Sequence, residues 1–245
     1  MTQTHPAAHL FAGWDETLIW SSLDGIMGQI TCSDDGKSAM AEVADFAFFA
    51  GVPDKRLLTH PFARNFMLLV PQNEDWSAAI EDFFGDTVYK LTRYATLKTD
   101  AGFDVPKLRS IASNLPEGCH LRGIDEEIFR ISKNIPWMHD WTDQFSDYEH
   151  YRRLGLGVVL IRNGEIVSGA STYTRYARGI EIQIDTRKDC RGMGYASVTG
   201  ASLMLEALDR GLYPSWDAAN LTSLRLAEKL GYRFSHAYHV YALSR

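Results

Sequence analysis

The sequence predicts an α/β (α+β) protein in two parts, a smaller α/β region over residues 1–110 and a second region over 111–245. Three observations carry this. Ile180, Ile182 and Ile184 alternate with Glu181, Gln183 and Asp185, the period of two of a half-buried strand. Val198, Ala201, Leu205 and Leu208 lay an apolar stripe along a helix that Gly211 stops. Asn163-Gly164 sits between two apolar runs, and both residues tolerate positive φ, which makes the pair a strong hairpin signal. A length of 245 residues allows one large domain or two small ones.

Along the first region, Leu10 to Ser22 reads as a short helix. Met27 to Cys32 and Ala39 to Phe49 read as strands, separated by the turn residues Ser33-Asp34-Asp35-Gly36. Asn65 to Val70 is a compact apolar strand. Asn73 or Asp75 caps a helix through Phe84 that Gly85 ends, and Thr87 to Leu97 is another strand. The polar stretch Lys98 to Glu117 shows no strong periodicity and is where the domain boundary is expected.

The second region has a clearer order. Cys119 to Ile124 is a short strand, and Asp125 caps a helix to about Lys133 with Glu126 and Glu127 in its first turn. Ser146-Asp147 opens a helical segment through Leu154. Gly157 to Arg162 and Glu165 to Tyr173 flank the hairpin turn, and Gly179 to Thr186 follows as a strand. A helix spans about Gly194 to Arg210, and Tyr213 to Ala218 is a short strand. Asn220 caps a last helix through Leu230, which Gly231 ends, and Tyr232 to Leu243 is strand-like.

Composition excludes several classes. Twenty-five basic against 31 acidic side chains give a net charge of −6, with no basic stripe, which argues against a nucleic-acid partner. No apolar run approaches the ~20 residues of a membrane helix, and the N-terminal segment makes a poor signal peptide. Three widely spaced cysteines, Cys32, Cys119 and Cys190, suit a reducing compartment, so the cytoplasm is the expected location. The eight histidines show no ligand spacing, so no metal is expected.

The chemistry concentrates in Glu181 to Ala196. A strand feeds a loop, Arg191-Gly192-Met193-Gly194-Tyr195-Ala196, that opens directly into a helix. The first N–H groups of a helix lack intrahelical acceptors and carry the positive end of its dipole, so this segment can cradle a phosphate or pyrophosphate. It also reads as an ordinary glycine turn. Neither G-x-G-x-x-G nor a Gly-Lys-Ser/Thr phosphate loop is present.

That segment is similar to the R/Q-x-x-G-x-G/A signature of the GNAT acetyltransferases. Asn220-Leu221-Thr222-Ser223, followed by Ala227-Glu228-Lys229-Leu230-Gly231-Tyr232, resembles the family's second motif at the expected spacing. The resemblance covers roughly residues 117 to 245. More narrowly, GLYPSWDAAN and LAEKLGY resemble the zwittermicin-resistance-like GNAT subgroup, whose members carry an extra N-terminal half.

The resemblance implies a GNAT-type central mixed sheet with flanking helices and acetyl transfer from acetyl-CoA, a co-substrate, to a small-molecule amine in a ternary complex. The main-chain N–H groups of Arg191, Gly192, Met193, Gly194, Tyr195 and Ala196 would hold the CoA pyrophosphate. Main-chain groups of Ile182, Ile184 and Thr186 would pair with the pantetheine arm as an added strand. Asn220 would cap its helix near that arm, or act as a cap alone. Glu181, sharing a face with Gln183, is the candidate base; the alternative is a solvated strand carboxylate, and a bulge in this strand would change the facing. The family often places a tyrosine acid where this chain has Ala227. Tyr232, Tyr213, Asp217 and solvent are the replacements.

His139 and Asp140, among Trp137, Met138 and Trp141, either line an acceptor pocket or pack their loop. For the first region, shaping the acceptor site, forming a homodimer and covering a sheet edge all stand open. The competing function is a CoA-binding module without catalysis.

Overall fold

The structure, a computed structural model, describes residues 5–99 and 102–244. The first four residues of the segment read as a poor signal peptide, and positions 100 and 101 of the polar stretch, lie outside them. The fold is mixed α/β, with two mixed sheets and flanking helices. Contacts divide the chain into Met1–Arg93 with Ala237–Arg245, and Tyr94–His236, so position 110 falls inside the second unit.

The first unit contains α1 (Thr17–Leu23), β1 (Gln29–Cys32), β2 (Ser38–Val43), β3 (Phe46–Gly51), α2 (Lys55–Leu58), β4 (Phe66–Pro71), α3 (Glu74–Phe84) and most of β5 (Val88–Thr96). The helix expected over Leu10 to Ser22 is two pieces, a 3-10 turn Pro6–Phe11 and then α1. Gly13 takes a left-handed φ of 78° between them, and the Glu16 side chain caps α1 by accepting from Leu18 N–H at 3.3 Å. The single strand expected over Ala39 to Phe49 is a hairpin, with Ala44 at φ 54° in its two-residue turn. An alanine in that conformation gives no Asn-Gly-like signal. The core gathers Phe49, Leu69, Trp76, Ile80 and Tyr241, and Trp76 Nε1 donates to Gly51 O at 2.9 Å.

The second unit adds α4 (Val105–Ser113), β6 (Cys119–Gly123), α5 (Glu126–Asn134), a 3-10 segment Pro136–Trp141, α6 (Tyr148–Leu154), β7 (Gly157–Arg162), β8 (Glu165–Tyr176) and β9 (Gly179–Thr186). These are followed by α7 (Tyr195–Asp209), β10 (Tyr213–Ser215), β11 (Asp217–Ala218), α8 (Leu221–Leu230) and the start of β12 (Phe234–Ser244). Its five-stranded sheet runs β10-β9-β8-β7-β6, parallel at β10–β9 and antiparallel elsewhere. Ile180 and Ile182 join Ala201, Met204, Trp216 and Leu230 in the core that holds α7 against the sheet.

Helix α4 lies within the stretch read as aperiodic. Its signals are local: Asp104 Oδ1 accepts from Lys107 N–H at 2.9 Å, and Pro106 sits in the first turn, where a missing N–H costs nothing. The other difference matters more. Tyr213 to Ala218, expected as one strand, is two, because the chain turns at Trp216.

Candidate functional site

That turn makes a fork. Tyr213, Pro214 and Ser215 pair in parallel with Gly179, Ile180 and Glu181. Beyond Trp216, Asp217 and Ala218 pair instead with Ala95 and Tyr94 at the end of β5. Trp216 is buried, its carbonyl accepts from Thr96 Oγ1 at 2.6 Å and its Nε1 donates to Ser223 Oγ at 3.1 Å, so the departure is anchored at both ends of the residue. Ile182–Thr186 therefore has β8 on one side and, among the described residues, no paired strand on the other.

Which main-chain groups face the open side follows from alternation. Arg187 N–H donates to Val167 O at 3.0 Å, and Asp185 O accepts from Ser168 Oγ at 3.0 Å, so odd-numbered residues direct their peptide groups to β8. The even ones direct theirs the other way: the parallel register of Ser215 with Glu181 carries Ile182 N–H to Ser215 O, so Ile182 O and the peptide groups of Ile184 and Thr186 face the open side. Thr186 O already accepts from Arg191 Nε at 3.3 Å.

The open edge leads to the glycine loop. Gly192 and Gly194 hold φ of 81° and 82°, and an added Cβ at either would meet nothing within 4 Å. Gly194 caps α7 without a side chain. The N–H groups of Met193, Gly194, Tyr195 and Ala196 donate to no protein acceptor among the described residues, whereas Ser197 N–H closes onto Gly194 O at 3.0 Å. Beside them is a cavity of about 270 Å³ lined by Asn114, Pro116, Met193, Ser197 and Lys229. Lys229 Nζ donates to Ser197 Oγ at 2.9 Å, which puts an ammonium next to the positive end of α7. The second motif contains Lys229, but only the packing of α8 on α7 shows where its charge goes.

The side chains of β9 divide by face. An added Cβ on Gly200 of α7 would lie 2.9 Å from Ile184 Cδ1, which places the isoleucines on the α7 side. Glu181, Gln183 and Asp185 take the other. The strand irregularity falls in β8, between Thr172 and Thr174, so the alternation of β9 is unbroken. Glu181 is 3% exposed at the base of the fork, and its Oε1 accepts from Asp217 N–H at 2.5 Å.

Asp185 was not among the sequence candidates, yet it organises this face. Its Oδ2 accepts from Gln183 Nε2 at 2.9 Å and from Trp141 Nε1 at 3.1 Å. Burial pushes its carboxyl up to about 6; the hydrogen bond from Gln183 opposes that, Asp140 adds to it, and Trp141 and Arg191 pull the other way. Only its place in the alternation could have singled it out, and that signal does not separate it from a solvated aspartate.

The remaining candidates are occupied structurally. Asn220 Oδ1 caps α8 through Ser223 N–H at 3.0 Å. Ala227 is fully buried in the core and offers no hydroxyl. Tyr232 OH donates to Pro214 O at 2.6 Å, and burial raises its phenol well above the ordinary value. Tyr213 OH donates to Leu97 O at 3.4 Å. Trp141 and Met138 are buried, and His139 Nε2 lies 3.2 Å from Asp143 Oδ1. Cys190 is buried and Cys119 partly buried, both as free thiols. Among the described residues no group of three or more His, Cys, Asp or Glu side chains is placed to hold a metal ion, and no helix is long and apolar enough to cross a membrane.

Comparison with known proteins agrees with this fold. The GCN5-related N-acetyltransferase-like protein of Streptococcus suis superposes with a TM-score of 0.91 at 45% identity, covering 97% of this chain and 96% of that one. A GCN5-related N-acetyltransferase from Kribbella flavida shares the fold at 14% identity, with a TM-score of 0.58 over 99% and 96% of the two chains. In sequence, the uncharacterized N-acetyltransferase YdfB of Bacillus subtilis is 24% identical over 177 residues, 71% of this chain and 64% of that relative. The match thus spans less than two thirds of that curated relative's length. The model of the GNAT acetyltransferase family matches residues 8–241, and the chain belongs to that family.

Proposed function

We propose that the protein is an acetyl-CoA-dependent N-acetyltransferase that acetylates a primary amine of a small molecule by direct attack in a ternary complex. The observation that carries the reading is the open edge of β9, which runs from the fork at Glu181 to the unbonded N–H groups ahead of α7. An extended pantetheine arm is matched to such an edge as an added strand. The N–H groups of Met193 to Ala196, the α7 dipole and Lys229 suit the phosphates of CoA.

On this reading a backbone N–H on the open side of β9, past the fork, holds the thioester oxygen and stabilises the oxyanion as the amine adds to the carbonyl carbon. One such donor is worth roughly 3–4 kcal/mol. Glu181 takes the proton lost by the attacking nitrogen, directly or through a water held at Thr174 Oγ1. That hydroxyl is buried, makes no hydrogen bond among the described residues, and belongs to the cross-strand partner of Glu181. The C–S bond then breaks, and solvent protonates the departing thiolate, since Ala227 supplies no acid.

The resemblance to the zwittermicin-resistance-like subgroup supports a small-molecule acceptor, and three free cysteines suit the cytoplasm. A second reading, a CoA-binding module without turnover, is favoured by Ala227 alone. Incubation with acetyl-CoA, a thiol-detecting reagent and a panel of primary amines separates the two. Amine-dependent CoA release is expected; tight CoA binding with no release on the whole panel would replace the enzyme by the module.

A further inference from the structure

The polar face of β9 offers acceptors without donors. Both hydrogen bonds to Asp185 use Oδ2, and Oδ1 accepts from no group among the described residues. Gln183 turns its Nε2 to Asp185, which leaves Oε1 as its outward end, likewise unbonded. This arrangement is built in. Gly169, the register partner of Asp185, has no side chain, and a Cβ there would lie 2.6 Å from two ring carbons of Trp141. The missing side chain lets the fully buried Trp141 lie across β8 and hold Oδ2. Further along the same face Thr174 Oγ1 is buried and unpartnered among the described residues.

Two fixed oxygen acceptors, one of them on a carboxylate, match a group that has only N–H donors and a positive charge. We infer that Asp185 Oδ1 and Gln183 Oε1 seat the ammonium of the acceptor, which is therefore a cationic alkylamine bound in its protonated form, with Trp141 as the positioning residue that fixes the carboxylate. This rests on the acetyl-transfer reading and names its substrate class. The charged groups acting on Asp185 are Asp140, which strengthens the attraction for a cation, and Arg191, which weakens it. Seating therefore strengthens as pH rises through about 6 and Asp185 ionises.

The test uses full-length protein with ¹⁵N-labelled tryptophan, its Trp141 indole signal assigned by Trp141→Phe. The probes are 1,5-diaminopentane and its uncharged match, 1,5-pentanediol. The diamine is expected to move the Trp141 indole signal and the diol to leave it in place. Asp185→Asn, which keeps an oxygen for both donors, is expected to weaken diamine binding about tenfold, and Asp185→Glu to restore part of it. Equal responses to diamine and diol, no diamine response, or unchanged affinity in Asp185→Asn would each overturn the seat. Should Asp185→Asn fail to fold, the diamine–diol comparison on the wild-type protein decides alone. A diamine response without acetylation of any amine would retain the seat and remove the acetyl-transfer reading. Acetylation with an unchanged amine KM in Asp185→Asn would do the reverse.

Discussion

The two halves of β9 share one strand, one alternation and one neighbour in β8, yet they differ in what they leave unpaired. Gly179 to Glu181 are paired on both sides and Ile182 to Thr186 on one. The difference is made four residues into a short segment elsewhere in the chain, where Trp216 turns away and Asp217 and Ala218 pair with β5. An open edge is ordinarily a liability. Here it leads into a helix terminus with unbonded N–H groups, and that continuity is what the proposed binding of acetyl-CoA rests on.

The comparison breaks first at the loop. Gly192→Asp and Gly192→Asn place isosteric side chains in the same left-handed conformation, so strain cancels and charge remains. Calorimetric titration is expected to show acetyl-CoA binding roughly 100-fold weaker in the aspartate variant than in the asparagine variant, since like-charge juxtaposition costs several kcal/mol. At the fork, Glu181→Gln keeps an oxygen for Asp217 N–H but removes the proposed base. A kcat lower by roughly 100-fold, with acetyl-CoA affinity retained, is expected. A smaller effect belongs to Lys229→Met, which deletes a cation beside α7; acetyl-CoA affinity should fall about tenfold.

The smallest change is thermal. A folded-state carboxyl held near 6, against an ordinary 3.8, binds its proton more tightly when folded. Its contribution to stability is present below about pH 4 and lost as pH rises through 6. Asp185→Asn removes that loss. Its melting temperature at pH 8 should exceed the parent's by about 2–6 °C, given partial exposure and the usual 2–4 °C per kcal/mol, with little difference at pH 4. The variant that weakens the amine seat would thus stabilise the fold, as expected where a site is built at a cost in stability.

Much of this was legible in the sequence because its signals are local. The Ile180–Ile184 alternation placed β9, Asn163-Gly164 placed the β7–β8 hairpin, and Asp125, Asp147 and Asn220 cap the helices they were expected to cap. The fork was not legible, because Tyr213 to Ala218 carries no turn residue at Trp216; the break is fixed by tertiary contacts, one from Thr96, far away in sequence, and one from Ser223 on the following helix. Asp185 and Lys229 were missed for the same reason. Each gains its role from one partner on another element, Trp141 or Ser197, and pattern within a segment cannot register such a pairing.

The central claim is that acetyl-CoA lies along the open half of β9. Amide hydrogen exchange on protein labelled with ¹⁵N-isoleucine tests it at three positions of one strand. Saturating acetyl-CoA should slow exchange at the Ile184 N–H group by roughly tenfold or more, the scale of a newly made hydrogen bond. Ile180 and Ile182, whose N–H groups already donate to β10, should change far less. Equal protection at all three, or none at Ile184 while acetyl-CoA is bound, would contradict the account.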